Sequence, residues 1–267
     1  MTDQFPCLDG HVHSEFSPDS ESSIEAILKK AETRRLHSVA VTDHCYSPEH
    51  LLNLESRRKP GGIHTPRLIL GVEVSIEMKF GVEVIRSRDR FAWDLVSAAV
   101  HGFPEFNLYP EFGLNNQPSP AFGERCREIG VGLLLHKYVQ RSVEAMMSGK
   151  IDILAHPFDL FCCAGMLPDA LFEAVDQLVT AAAASSTLME LNNHTLGPDV
   201  FPPGREELQE RRFSLYKLLV DRCADAGVKL VPGSDAHHVD SVGEMSNVFA
   251  FLKKAGIAET FLVSTLP

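Results

Sequence analysis

The feature that most restricts the fold is an alternation that runs from one end of the chain to the other. Short apolar runs, many β-branched, take turns with stretches of helical period. The runs cover residues 7–13, 38–42, 67–75, 94–100, 151–155, 187–191 and 228–232. Between the first two, Ser22 or Ser23 can cap a helix in which Ile24, Ile27, Leu28 and Ala31 recur at helical spacing. Further helices are expected near 48–57, over most of 120–149, from Pro168 to about 184, and over about 205–226 and 241–256. Strand followed by helix followed by strand makes neighbouring strands parallel and covers them with helices. The pattern predicts a closed or nearly closed (β/α) barrel with one strand fewer than the usual eight. An open doubly wound sheet is the alternative, but no glycine-rich phosphate fingerprint supports it. A chain of 267 residues with no linker and no internal repeat is expected to form one domain over 1–267. Two stretches depart from the rhythm. Lys79-Phe80-Gly81 reads as a turn into an extra strand, Val82 to Ile85, and 102–119 reads as a long loop over one face.

Chemistry gathers where the apolar runs stop. His11 and His13 close the first run one residue apart, so in a strand they point to the same face. The later runs end at His44, Glu73, His101, His156, and Asp235 with His237, while Asp19 stands in the first loop. The exception, 187–191, is followed by His194. In barrels of this class the strand C-termini converge on one face and build the active site. Six histidines and three carboxylates would meet there, too many for one zinc or manganese ion, so two or three divalent ions are expected. Each residue alone is a weak signal; the joint pattern carries the reading. Asp9 and Asp43 serve equally well as caps or turn formers.

The formal net charge of -11 argues against a nucleic-acid partner, since a phosphate backbone wants a basic surface. None of the six cysteines forms a C-x-x-C pair, which points to reduced, mostly buried thiols rather than a thiolate zinc site. There is no apolar run long enough to span a membrane and no basic-then-apolar leader, so a cytoplasmic protein is expected. Oligomeric state leaves no mark on the sequence.

The motifs Asp9-Gly10-His11-Val12-His13, Thr42-Asp43-His44, Gly71-Val72-Glu73, Val100-His101, Ala155-His156-Pro157 and Ser234-Asp235-Ala236-His237 together resemble the PHP (polymerase and histidinol phosphatase) superfamily. The resemblance spans nearly the whole chain, in family order. It implies a distorted (β/α)7 TIM-like barrel with a trinuclear metal centre of zinc, manganese or iron at the strand C-termini. On that pattern His11, His13, Glu73 and Asp235 hold one ion. Glu73 bridges to a second, which His101 and His156 also hold, and Asp19, His44 and His237 hold the third. Asp19 stands where many members carry histidine, and a harder oxygen ligand favours manganese or iron there. His13-Ser14-Glu15-Phe16-Ser17 with Asp19-Ser20, and Glu190-Leu191-Asn192, resemble the histidinol-phosphate phosphatase branch. The region between Glu73 and His156 departs from it.

A hydroxide shared by two divalent ions suits in-line hydrolysis of a small phosphomonoester, L-histidinol phosphate being the specific expectation. His194 is the candidate proton donor to the leaving alcohol. Arg86, Arg88, Lys137 and Arg205 are the candidate phosphate-binding cations. The competing classes are a nucleotide or oligonucleotide phosphoesterase, a metal-dependent amidohydrolase, and a binding domain without activity. The last would show lost ligands, and none is lost here.

Overall fold

The structure, a computed structural model, describes residues 8–57, 65–110, 120–201 and 204–266. Seven parallel strands form a single sheet in chain order: β1 (Leu8–Val12), β2 (Ser38–His44), β3 (Arg67–Ser75), β4 (Leu95–Ala99), β5 (Ile153–Leu154), β6 (Leu188–Asn192) and β7 (Leu230–Gly233). The sheet curls until its first and last strands meet. The His13 amide donates to the Ala236 carbonyl at 2.8 Å and the Asp235 amide to that of His11 at 2.8 Å, so the rim beyond β7 is laced to the end of β1. The result is a nearly closed barrel, not an open doubly wound sheet.

Leu8, Ala40, Ile69, Leu95, Ile153 and Val231, one residue from each of six strands, pack together as a buried layer inside the barrel. Parallel strands need both faces covered, and their side chains are buried on both. The outer cover comes from α1 (Ile24–Thr33), α2 (Pro48–Ser56), α3 (Lys79–Arg86), α4 (Pro120–Ile129), α5 (Val131–Met147), α6 (Asp159–Cys163), α7 (Ala170–Ser185), α8 (Glu206–Ala226) and α9 (Ser246–Ala255). The Ser23 hydroxyl caps α1 by accepting from the Ala26 amide, and Ile24, Ile27, Leu28 and Ala31 turn inward as their spacing predicts.

The expected strand at Val82–Ile85 is instead part of α3. Gly81, Val84 and Ile85 form its buried face at helical spacing. Gly81 is required for the close approach, because a Cβ there would lie 2.1 Å from the Ser75 carbonyl oxygen. The 102–119 stretch holds a short 3-10 turn at Pro104–Phe106, and its part from 111 to 119 lies outside the described residues, as does Cys7. Cys45, Cys126, Cys162 and Cys223 are buried free thiols and Cys163 is half-buried. Among the described residues no helix is long and apolar enough to cross a membrane.

Candidate metal centre

The parallel arrangement brings every strand C-terminus to one end of the barrel, and the ligand-type residues come with it. Glu73, fully buried near the end of β3, stands at their centre. Its Oε1 lies 2.9 Å from His156 Nε2 and 3.2 Å from His101 Nε2. Its Oε2 lies 3.0 Å from His44 Nδ1, 3.2 Å from His11 Nε2 and 3.5 Å from His13 Nε2. Asp235 Oδ1 sits 3.2 Å from His13 Nε2 and 3.5 Å from His11 Nε2. Asp19 Oδ2 lies 3.3 Å from both His44 Nε2 and His237 Nε2. All nine residues therefore meet in one cluster.

Three subsets have donor atoms close enough to share an ion: His13 with Asp19, His44 and His237; His11 with His13 and Glu73; and His44 with Glu73 and His101. This grouping differs in detail from the one implied by resemblance. His13 also reaches the Asp19 group, and His44 turns one nitrogen to Asp19 and the other to Glu73.

The donor set fits divalent cations on two observations. His44 Nδ1 and Glu73 Oε2 are buried and face each other without satisfying hydrogen-bond geometry. His11 Nε2 and His13 Nε2 point at one another at 3.1 Å. Lone pairs aimed at common points from several strands are what a metal ion needs. The outward nitrogens are held in turn: His13 Nδ1 by the Ser17 hydroxyl at 3.2 Å, His101 Nδ1 by the Ser75 hydroxyl at 2.8 Å, and His237 Nδ1 by the Asp235 carbonyl at 3.0 Å. Such partners fix ring orientation. His156 and Asp235 adopt left-handed backbone, with φ of 27° and 57°, a strain that clusters at functional sites.

The charges are strongly coupled. Burial, with His44 and His237 alongside, pushes the His13 imidazole down to about 3. Burial also acts against charge on His44 and His156, but the Glu73 carboxylate more than offsets it, raising them to about 9 and about 10. Burial alone would raise the Asp19 carboxyl, yet His237 and His44 hold it below the usual carboxylate range.

Asp9 and Asp43 are anchors deeper in the frame. Asp9 accepts from the Ser234 amide and hydroxyl and from the Gly243 amide, at 2.9, 2.6 and 2.8 Å. Asp43 accepts from the Ser14 amide at 2.5 Å and from Arg57 Nη1 at 2.8 Å. Each ties down a loop carrying ligand-type residues. The sequence places both in the strand-end motifs and equally allows them as caps or turn formers, and nothing in it marks Arg57 as the partner of Asp43.

A cavity of about 1040 Å³ opens over the cluster, with Tyr46, Met78, Tyr109, Asp159, Leu160 and His194 also in its lining. None of the four candidate phosphate-binding cations reaches it. Arg88 donates to the Lys150 carbonyl and to Asp152, Lys137 pairs with Glu105 at 3.0 Å, and Arg86 and Arg205 are exposed elsewhere. Among the described residues no lysine or arginine lines the cavity.

Barrel, strand-end cluster and overlying cavity together define an α/β barrel that gathers, at one end, residues that could hold metal ions. A family model described as the PHP domain matches residues 9–194, and the chain belongs to that family. Asp235 and His237 lie beyond the matched span; the closure of the barrel brings them to the cluster. The chain is 24% identical to a probable phosphatase of Shewanella sediminis over 97% of this chain and 90% of that protein. It is 22% identical to a probable histidinol-phosphatase of Clostridium acetobutylicum over 88% of each. Among solved structures it is similar to histidinol phosphate phosphatase of Lactococcus lactis, complexed with zinc, L-histidinol and phosphate. That match has a TM-score of 0.64 and 19% identity over 96% of this chain and 95% of that one, a likeness of fold.

Proposed function

We propose that this chain is a metal-dependent phosphatase acting on a small phosphomonoester, with L-histidinol phosphate as the leading substrate. The observation that carries the reading is the convergence of six imidazoles and three carboxylates around buried Glu73, beneath a cavity open to a small molecule. His11, His13, Glu73, His101, His156 and Asp235 would hold two ions, and Asp19, His44 and His237 a third. What zinc, manganese or iron supplies when bound here is an activated water and positive charge facing the phosphoryl oxygens. The protein's part is to keep the imidazoles oriented and to seat the ester under the cavity walls. His194 lines that cavity and would pass a proton to the leaving alcohol. With no lysine or arginine among the described lining residues, a polyanion such as an oligonucleotide gains nothing from the walls. The relatives' names favour the phosphatase class over the amidohydrolase.

The test is a steady-state panel of phosphoesters, lactones and amides with manganese, zinc or iron supplied. Metal-dependent turnover of phosphomonoesters is expected, with L-histidinol phosphate well ahead of a generic aryl phosphate. Equal rates on those two esters overturn the specific substrate, and no metal-dependent phosphoester turnover overturns the class. His11→Ala and Asp235→Ala should each abolish turnover while the far-ultraviolet dichroism stays unchanged; retained activity in both would sink the assignment.

A further inference from the structure

Among the described strands, β6 supplies none of the nine clustered residues named above, yet it lies against them. Its Glu190 is buried, and its two carboxylate oxygens reach β1 and the turn that follows β5. Oε1 lies 3.1 Å from His11 Nδ1, and Oε2 accepts from the His156 amide at 2.6 Å. Asn192, two residues on, donates to Glu190 Oε1 at 3.3 Å and to Asp235 Oδ2 at 3.2 Å. One carboxylate and the amide beside it thus reach His11, His156 and Asp235. Space is reserved for the carboxylate: a Cβ on Gly233 of β7 would fall 1.9 Å from Glu190 Oε1 and 2.8 Å from the His11 Cβ.

We propose that Glu190 is the positioning residue of the metal centre, so that the strand without ligands sets the geometry of those around it. The proposal rests on the metal-holding reading above. With a carboxylate oxygen 3.1 Å from it, His11 Nδ1 is the nitrogen placed to donate, and Nε2 is the one turned toward Glu73 and His13. The second oxygen fixes the His156 peptide, whose left-handed backbone would otherwise relax and carry the ring away. Both jobs need acceptors. Glutamine offers one, and its amide group placed against His11 Nδ1 would force the opposite tautomer.

The experiment uses the full chain as Glu190→Gln and, independently, Gly233→Ala, which leaves the carboxylate chemically intact but fills its place. Zinc affinity is measured by competition with a chromophoric chelator. The His11 tautomer is read in the zinc-loaded protein from long-range imidazole nitrogen shifts, and chelator-treated protein is melted alongside. Both variants should bind zinc about 10- to 100-fold more weakly, the loss typical of outer-shell partners. The wild-type His11 should report an Nδ1-bound proton and the variants a changed signal. A merely structural Glu190 would lower the melting temperature of the chelator-treated protein without moving affinity or tautomer, and that result overturns the proposal. Should Glu190→Gln fail to fold, Gly233→Ala alone decides, with the same two outcomes. If the wild-type chain binds no zinc, manganese or iron, the metal-holding reading itself has failed; normal wild-type binding with unchanged variants removes only the role of Glu190.

Discussion

Arg57 shows how much a single residue can decide beneath a site it never touches. Its guanidinium is buried, with Nη1 on Asp43 Oδ2 at 2.8 Å and Nη2 on the Gly71 carbonyl at 2.7 Å. Asp43 in turn receives the Ser14 amide, beside His13, and precedes His44. Removing one partner of such a pair strands a buried charge, which costs about 3–5 kcal/mol. Arg57→Ala should therefore lose stability of that order in urea unfolding, and Arg57→Lys should recover only part, because an ammonium cannot bridge both acceptors as the planar fork does. A change below about 1 kcal/mol for Arg57→Ala, within the range of an exposed pair, would refute this account. The sequence hid the pairing because an arginine at the end of a helix reads as a solvated charge.

At the scale of elements, α8 is tied to the site through Tyr216. This wholly buried residue donates its hydroxyl to the Pro157 carbonyl, next to His156. Tyr216→Phe keeps the ring and strands a buried acceptor, a loss of about 1–3 kcal/mol. Equilibrium unfolding checks this, and an unshifted midpoint would show that the carbonyl finds another partner. The α3 region illustrates the opposite limit of sequence reading. Lys79-Phe80-Gly81 suggests a turn between strands only while Gly81 is taken as a turn residue. In the fold Gly81 lies within the helix, where the Ser75 carbonyl leaves no room for a Cβ. Short apolar runs such as Val82–Ile85 have no period long enough to separate helix from strand, so tertiary contact decides. Longer elements were legible: α1, α8 and the strands fall close to where period and caps place them.

For the whole molecule, ions held by the cluster would compete with protons for the same nitrogens. The Glu73 carboxylate holds His44 at about 9 and His156 at about 10 against the opposing pull of burial. Raised values in the fold mean that without ions these groups add stability below the unfolded value of about 6.5, and that the contribution is lost as pH climbs through about 9 to 10. Divalent ions need the deprotonated rings, so binding should release protons and tighten as pH rises over the same window. Calorimetry in buffers of different ionisation enthalpy reads the proton count, and an affinity flat across that window would contradict the coupling. Chelation should lower the melting temperature of the ion-loaded protein, since ions that bind only the folded state stabilise it.

The sequence by itself determined the class of fold and which ligand-type residues stand at the strand ends. Both rest on local order: the period of apolar residues assigns each element, and parallel strands send all their C-termini to one face. It could therefore name His11, Glu73, His156 and Asp235 together. Only the tertiary structure decided which nitrogen each ring turns inward, that the four candidate cations stand away from the cavity, and that Asp9 and Ser234, 225 residues apart, are hydrogen-bonded. It also placed the Glu190 carboxylate of β6 against His11 and the His156 amide. Those facts depend on distances through space between segments far apart in the chain, and periodicity along one segment carries no record of them.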